Sequence, residues 1–362
     1  MLIEIKPLDT LFFRDGRPFS WGEETWAEGL FPPFPSTIRG ALRSLWFSLH
    51  LADFRKASRE DDPTKGITVK ATFLKKGKSF YFPIPLDVLA KKAERKGVLI
   101  KAKLVEVMDK KDFIFSGPSL SFPKSPFEKG ENVEGFIELN ELLGYLKGGA
   151  EVNVREEKFF VMPEAKIGIA RDRFTRTSQE GKLYRLSMLR LEEDVSLIAD
   201  VAMPERDLPQ SGLIKLGGEG KVVQYQKINS EVINEILSIK DDLITRVEKN
   251  KKFKILFITP AIFKKGWLPN WVDQSSFHGK YRGIQLKLLA AMVGRPVFVG
   301  GFDMRENEPK EMYRGIPAGS VYYFEVEEAD ASKVIEVFHY DNISDIRAEE
   351  GFGLCLVGEV NI

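Results

Sequence analysis

Alternation of apolar and polar residues is the strongest pattern along this chain, and it predicts β-strands in both halves. The first alternating run covers residues 1–13 and is interrupted at Pro7. Between 87 and 165, short apolar runs are mixed with Gly, Pro and Lys, and we expect loops and insertions there. Further strands are predicted at 67–85, around a turn at 75–78, and at 195–203, 253–263, 322–326 and 351–358.

Helical spacing of apolar residues occurs in three places. Ser36 is predicted to cap a helix over 37–51, and further helices are predicted over 229–247 and 331–338. Strands and helices therefore recur in each half. This order favours an α+β fold with two ferredoxin-like (RRM-like) βαββαβ domains on antiparallel sheets, residues 1–207 and 208–362.

Residues 166–191 predict a β-hairpin, because two alternating arms flank the polar link 177–181. The stretch carries seven basic and two acidic side chains, whereas the whole chain has 54 basic and 53 acidic residues. A protruding ribbon with this local excess could grip a phosphate backbone. It could also be an edge hairpin whose charges only prevent aggregation, and the residues alone leave both interpretations open.

Composition limits the classes of protein that fit. A chain of 362 residues with 43% hydrophobic residues can fold as two domains. The lone Cys355 excludes a disulfide framework and fits a reducing, cytoplasmic compartment. The sequence predicts no membrane span and no signal peptide. Because the net charge is only +1, any nucleic-acid site has to be a focused basic patch.

Catalytic chemistry is sparse in this sequence. His278 lies in the aromatic and basic segment 277–282 and is the one histidine considered for acid–base work, whereas His50 and His339 are expected outside any site. No metal-ligand spacing occurs, and no cofactor or metal is expected. The glycine-rich segment 216–221 could cradle a phosphate, although its spacing is not that of a P-loop.

Basic residues with aromatic neighbours point to RNA binding instead. Arg39 and Arg43 flank Gly40 on the first predicted helix, and this glycine predicts either the close approach of a ligand or a packing contact with a strand. The predicted RNA-binding residues are Arg14, Arg17, Arg39, Gly40, Arg43, Lys166, Arg171, Arg173, Phe174, Arg176, Lys221, His278, Lys280, Tyr281 and Arg282.

Seven motifs, in order over nearly the whole chain, resemble one known family. They are PLDTLFFRDGRPF (7–19), LFPPFPSTIRGALRS (30–44), GIARDRFTRTSQEGKLY (168–184), LGGEGK (216–221), GRPVFVGGFD (294–303), MYRGIPAGSVYYFE (312–325) and GFGLCLVG (351–358). Together they resemble the third-subunit family of the Cmr complex, the type III-B CRISPR effector, within the RAMP superfamily of RNA-binding proteins.

The resemblance implies two RRM-related folds, with 166–191 as a thumb hairpin. It implies a non-catalytic subunit in antiviral defence that holds the 5′ handle of the CRISPR RNA. It also implies contacts with the large polymerase-like subunit and with the repeating backbone RAMP subunit. GFGLCLVG is similar to the glycine-rich loop of the superfamily, which leaves two roles open: contact with RNA, or shaping of the last strand.

Two other functions compete with the RNA-binding subunit. An RNA-processing endonuclease of the RAMP superfamily, acting on CRISPR RNA, would need a general base, which His278 or Tyr281 would have to supply. A nucleotide-binding regulator would use the glycine-rich segment 217–221 instead.

Overall fold

The structure, a computed structural model, describes residues 1–14, 26–27, 29–91, 99–104, 106–108, 120, 122–127, 130–172, 174–203, 208–303, 308–328 and 331–360. Its helices are α1 (Pro35–Leu49), α2 (Leu139–Leu146), α3 (Glu231–Ser238), α4 (Lys240–Asn250) and α5 (Ala331–Phe338). Its first thirteen strands are β1 (Leu2–Pro7), β2 (Trp26–Ala27), β3 (Thr68–Lys76), β4 (Ser79–Pro83), β5 (Val88–Lys91), β6 (Leu99–Leu104), β7 (Glu106–Met108), β8 (Phe122–Lys124), β9 (Gly130–Asn132), β10 (Phe136–Glu138), β11 (Glu151–Arg155), β12 (Val161–Arg171) and β13 (Ser178–Leu191). The remaining strands are β14 (Val195–Ala202), β15 (Ser211–Lys215), β16 (Val222–Ile228), β17 (Lys252–Phe257), β18 (His278–Tyr281), β19 (Ile284–Met292), β20 (Val297–Val299), β21 (Phe302–Asp303), β22 (Glu308–Pro309), β23 (Tyr313–Gly315), β24 (Val321–Glu328), β25 (Asp341–Asn342) and β26 (Leu354–Glu359).

Eleven strands form the first sheet, in the order β15-β16-β1-β14-β3-β4-β10-β11-β6-β5-β9. All neighbours in it are antiparallel. The predicted division at 207/208 had assigned β15 and β16 to the second domain. Instead β16 pairs with β1 from Leu2↔Ile228 to Pro7↔Val223, and the buried Ile5 and Tyr225 lie opposite each other in that pairing. The first sheet therefore extends past the expected boundary.

The second sheet has the order β18-β19-β24-β17-β26-β25 and is also antiparallel throughout. On one of its faces Phe253 packs on Phe324 and on Phe338 of α5. Buried side chains of α2 and of this second sheet belong to the same hydrophobic core. The α+β class with antiparallel sheets, predicted from the alternation, is confirmed.

β12 and β13 form a β-hairpin, and β2 adds to β13 in a parallel pairing. The turn differs from the prediction: β12 ends at Arg171 and β13 begins at Ser178, so the expected loop 177–181 lies mostly inside β13. The reason is local hydrogen bonding. The Asp172 carboxylate accepts the amides of Phe174 at 2.9 Å and Thr175 at 2.8 Å, while Arg176 adopts a left-handed φ of 58°.

Three other expectations need correction. The first helix begins at Pro35 rather than after a Ser36 cap, because proline suits the first helical turn. The predicted helix 229–247 is divided at Ile239 into α3 and α4. The described part of 87–165, expected as loops, contains seven complete strands, the start of β12 and α2, since short apolar runs such as that of β11 bury Val152 and Val154 in the core.

Candidate nucleic-acid interface

A basic cleft of about 260 Å³ lies beside the N-terminal half of α1. Of the described residues that line it, Glu350 alone is acidic. The first turn of α1 contains no acidic residue, so its partial positive charge is not neutralised from within the helix. The arrangement suits an anion such as a phosphate. The lining residues that matter here are Arg14, Ser36, Thr37, Arg39, Gly40, Arg43, Lys310 and Arg347.

Arg39 uses its guanidinium group mainly on the protein. Its Nε donates to the Ile67 carbonyl at 2.7 Å, Nη2 donates to the Lys65 carbonyl at 3.1 Å, and Nη1 pairs with Glu350 at 3.0 Å. Only 14% of its side chain is exposed. The geometry therefore makes Arg39 a clamp on the segment before β3, where the sequence had predicted a phosphate ligand.

Arg43 clamps the same segment one helical turn further on. Its Nε donates to the Thr64 hydroxyl at 2.8 Å, and Nη2 lies 2.6 Å from the buried Asp62 carboxylate. Burial alone would raise the pKa of Asp62, but hydrogen bonds from Thr64 and Ser58 together with the Arg43 charge hold it below its usual value. Asp62 is thus ionised and depends on Arg43.

Gly40 faces the cleft. No atom of the described residues lies within 4 Å of the position that a Cβ would take there. Of the two explanations offered by the sequence, the described residues provide no strand packed on Gly40, and they leave space for a close approach. Exposed Arg14 and Lys310 complete this wall of the cleft.

The hairpin presents a second basic surface. Arg171 and Arg176 are exposed, and Phe174 at the tip is 92% exposed. Lys166 donates to Glu219 at 2.6 Å, and Lys221 donates to Asp9 at 2.6 Å, so these two predicted RNA ligands already have acidic partners. Arg17 and Arg173 lie outside the described residues.

The segment 278–282 forms β18 at an edge of the second sheet and the turn after it. His278 and Lys280 are exposed, and Arg282 pairs with Asp341 at 2.6 Å. Tyr281 packs against Trp271 and Phe338, and burial raises its pKa, so its phenol is a poor general base.

The other two histidines are engaged elsewhere. His50 stacks on Trp46 with the rings 4.2 Å apart. His339 is buried, with one ring nitrogen 2.9 Å from the Ile236 carbonyl, and burial lowers its pKa to about 4.

Among the described residues, no group of three or more His, Cys, Asp or Glu side chains is placed to hold a metal ion. Within the same ranges, no helix is long and apolar enough to cross a membrane.

Both glycine-rich motifs pack against protein. The Gly218 amide donates to the Phe12 carbonyl at 2.8 Å, and the Leu216 amide donates to the Lys221 carbonyl at 3.0 Å. These two amides therefore bind carbonyl groups of the protein rather than a phosphate. In the last motif, Gly351 and Gly353 are buried; a Cβ would lie 2.7 Å from Pro35 and 2.5 Å from Ser344, respectively. These two glycines therefore allow close packing just before the last strand.

Sequence reasoning missed Lys310 and Arg347. Arg347 donates to the Gly300 carbonyl at 3.2 Å and lies over the Tyr313 ring, which directs it to the cleft wall. Neither residue belongs to a local cluster of arginines. Only the fold brings them to α1, so the sequence held no signal for them.

A family model described as "CRISPR-associated protein (Cas_Cmr3)" matches residues 3–360. The chain belongs to this family. The motif-based resemblance to the third subunit of the Cmr complex is therefore confirmed. A curated relative, the CRISPR system CMR subunit Cmr3 of Saccharolobus solfataricus (strain ATCC 35092 / DSM 1617 / JCM 11322 / P2), is 23% identical over 329 residues, or 88% of this chain and 84% of the relative.

Two solved structures share the fold at 17% identity. One is a cryo-EM structure of the Type III-B Cmr-beta bound to cognate target RNA and AMPPnP; the match has a TM-score of 0.51 and covers 93% of this chain and 88% of that one. The other, of Cmr-beta bound to cognate target RNA, matches with a TM-score of 0.50 over 89% and 86%. At this identity the likeness concerns the fold alone.

Proposed function

We propose that this protein is a non-catalytic RNA-binding subunit of a type III-B CRISPR effector and that it holds the 5′ handle of the CRISPR RNA. Membership of the Cmr3 family supports the assembly, and the basic cleft beside α1 is the observation that carries the RNA-binding role. Binding a single-stranded handle requires individual phosphate-binding positions. A localised basic cleft on a nearly neutral protein provides them.

Within the cleft, the described residues divide into two groups. Arg39 and Arg43 build the wall, because their guanidinium groups hold Glu350, Asp62 and backbone carbonyls. Exposed Arg14 and Lys310 contact the phosphate, and the open space at Gly40 admits the RNA backbone. The positive end of α1 adds to the attraction.

The hairpin contributes a second contact. Arg171 and Arg176 bind neighbouring phosphates, and the exposed Phe174 ring stacks on or wedges beside a base. The Asp172 turn supports this role because its carboxylate holds the tip through the amides of Phe174 and Thr175.

Both sheets support the two ferredoxin-like units that the sequence predicted. In an antiparallel βαββαβ unit, the strands lie side by side in the order 4-1-3-2. The neighbours β16-β1-β14-β3 have this order, with α1 between the first and second strands. The neighbours β26-β17-β24-β19 have it too, with α5 before the fourth strand. Each unit thus retains one of the two helices.

Handle binding is tested by fluorescence anisotropy with CRISPR RNA that carries or lacks its 5′ handle. We expect R14A/K310A to weaken binding of the handle-bearing RNA by about tenfold, corresponding to two phosphate contacts, with little change for the RNA without a handle. The variant K147A/K249A, which removes two exposed lysines next to α2 and on α4 that do not line the cleft, is the control. Equal affinity of R14A/K310A and the unmodified chain would refute the cleft as the handle site.

The non-catalytic role is tested with labelled repeat RNA. Tyr281 is packed in an aromatic cluster and His339 is buried, so we expect the RNA to remain intact on incubation with the purified protein. Cleavage that disappears in H278A would favour the RAMP endonuclease instead. Co-purification with the large polymerase-like subunit and with the backbone RAMP subunit tests the two proposed protein contacts.

A further inference from the structure

A network of alternating charges joins the base of the hairpin to the first sheet. The Asp9 carboxylate accepts a hydrogen bond from Lys221 at 2.6 Å and lies 3.4 Å from Nη2 of Arg190, which also pairs with Glu164 on β12. One step nearer the tip, Lys166 donates to Glu219. The hairpin therefore supplies Glu164, Lys166 and Arg190. The body of the protein supplies Asp9, Glu219 and Lys221, and we call these three residues the hairpin seat.

The seat is built on a loop of fixed shape. Gly217 has a φ of 76°, and a Cβ there would lie 2.5 Å from the Phe12 carbonyl oxygen, so only glycine fits. The same carbonyl accepts the Gly218 amide at 2.8 Å. Gly217 and Gly218 thus pack the loop closely against Phe12. This packing fixes the positions of Glu219 and Lys221.

Glu219 occupies an unexpected backbone conformation. Its φ is 59°, in the left-handed region that favours glycine and strains other residues. The next residue, Gly220, has a similar φ of 65°, and there the chain has a glycine, which adopts this conformation without strain. A strained glutamate in this position indicates that its carboxylate, which reaches Lys166 on the hairpin, is needed.

Among the described residues, backbone pairing with the rest of the protein reaches the hairpin at Leu189 near its base and at Arg185 and Leu186, where β2 adds to β13. Leu11 and Leu189 exchange two amide hydrogen bonds of 2.8 Å, and above them Phe12 packs with Leu186 and Met188. From Val161 to Arg171, β12 covers about 30 Å at the usual rise per residue, so a small tilt at the base displaces the tip by several ångströms. The contact of Lys166 with Glu219 lies where such a tilt would begin.

We propose that Asp9 and Glu219 are positioning residues that fix the direction in which the hairpin projects. Each exposed ion pair is individually weak, and it is the linkage of several through one rigid loop that selects one orientation. The Lys221 hydrogen bond holds the pKa of Asp9 below its usual value, in keeping with a lasting pair. The effect of this orientation on RNA rests on the proposed function; the orientation itself does not.

Spin labels measure the orientation directly. Cysteines replace the exposed Ile169 near the tip and the exposed Lys78 in the turn between β3 and β4, while the native Cys355 is fully buried and stays unlabelled. Pulsed electron–electron resonance on the full chain gives the distance distribution between the labels. We expect one narrow distribution, and a broadened or shifted one in E219G and in D9N.

E219G separates positioning from stability. Glycine relieves the strained backbone, so the melting temperature should rise or stay level while the distribution broadens, which a purely structural role of Glu219 would not produce. E193Q, which neutralises another exposed acid near the base of β13, should leave the distribution narrow. The reciprocal variant K166E/E219K should restore it. Unchanged distributions in both E219G and D9N would overturn the proposal.

The RNA readout distinguishes the two proposals. In the assembled effector complex, we expect D9N and E219G to weaken CRISPR RNA binding without altering any group that contacts RNA. If the distributions broaden and the affinity is unchanged, the positioning role stands and the proposed contact of the hairpin with RNA fails. If the affinity falls with unchanged distributions, Asp9 and Glu219 do not act through orientation.

Discussion

Two arginine-rich regions of this molecule look alike in sequence and differ in structure. On α1, Arg39 and Arg43 direct their guanidinium groups at Glu350, Asp62 and carbonyl groups of the segment before β3. On the hairpin, Arg171 and Arg176 are exposed. The carboxylate of the neighbouring Asp172 accepts hydrogen bonds from the amides of its own turn. One pair holds the fold, and the other faces solvent.

Within the part of the chain that the structure describes, the difference is that the fold brings an acid to each arginine of α1. Asp62 is buried with four hydrogen bonds, from the Ser58 and Thr64 amides, the Thr64 hydroxyl and Arg43. A buried carboxylate needs such partners, and an arginine within reach becomes one of them. Clustered arginines therefore predict phosphate binding only where tertiary structure leaves their donors free.

The largest expected effect is on the α1 side of this comparison. R43A leaves the buried Asp62 without its cation, and we expect a loss of about 3 kcal/mol in the free energy of unfolding, measured by urea denaturation. R43A/D62N, which removes the charge as well, should recover part of it. A change below about 1 kcal/mol together with weaker RNA binding would instead make Arg43 the phosphate ligand that the sequence predicted.

The next effect concerns the hairpin. R171A/R173A/R176A removes three cations, of which Arg171 and Arg176 are exposed, so we expect the slope of log affinity against log salt to fall by roughly two units. The melting temperature should hardly change. R55A/R59A/K249A, which removes three cations elsewhere on the surface, is the control. Parallel salt plots would show that the hairpin is an edge-protecting or protein-binding element.

Much of the fold was predictable because alternation and helical spacing are local signals. β1, β14 and α5 lie close to where the sequence placed them. The pairing of β16 with β1 was not predictable, because it joins residues more than two hundred positions apart through backbone hydrogen bonds that carry no local signature. The strands within 87–165 were missed because runs as short as β10 resemble loops.

The candidate site was predictable only in part, for the same reason. Gly40 could be singled out because glycine is unfavourable inside a helix, and the structure shows open space beside it. Lys310 and Arg347 come to the cleft through tertiary structure alone. Conversely, nothing local to Arg39 indicated that Glu350 would pair with it.

Lys254 extends the comparison to a cation with neither solvent nor a hydrogen bond from the described residues. It is fully buried 3.8 Å from Asp87, which accepts hydrogen bonds from Tyr145 and Tyr323. Burial lowers the pKa of Lys254 to about 8, below the usual value. At this site the unfolded chain then binds more protons between the two pKa values, so the contribution of Lys254 to stability should rise as the pH increases through about 8 to about 10.

Thermal unfolding across this range checks the sign. K254M removes the titrating group, and we expect the unmodified protein to gain about 2 kcal/mol of stability relative to K254M between about pH 8 and pH 10. Burial also raises the pKa values of Cys355 and Tyr323, which lowers stability over this range, but it does so equally in both proteins. The control is K252M, two residues earlier on β17 and half-buried. It should show the same pH-dependent gain in stability as the unmodified protein. A rise of equal size in K254M would assign the effect to other lysines.

The smallest expected effect tests the open space at Gly40. An added methyl group meets no atom of the described residues within 4 Å, so G40A should stabilise α1 by up to about 1 kcal/mol through helix propensity. The matched control is G144A on α2, where a Cβ likewise has no described neighbour within 4 Å. Both variants should unfold at slightly higher urea concentrations. Only G40A places its methyl group in the basic cleft, where it would keep an RNA backbone from close approach and weaken handle binding by about tenfold, or 1.4 kcal/mol. Higher stability with unchanged RNA affinity in both variants would show that RNA does not approach Gly40, and would leave the hairpin as the principal RNA contact.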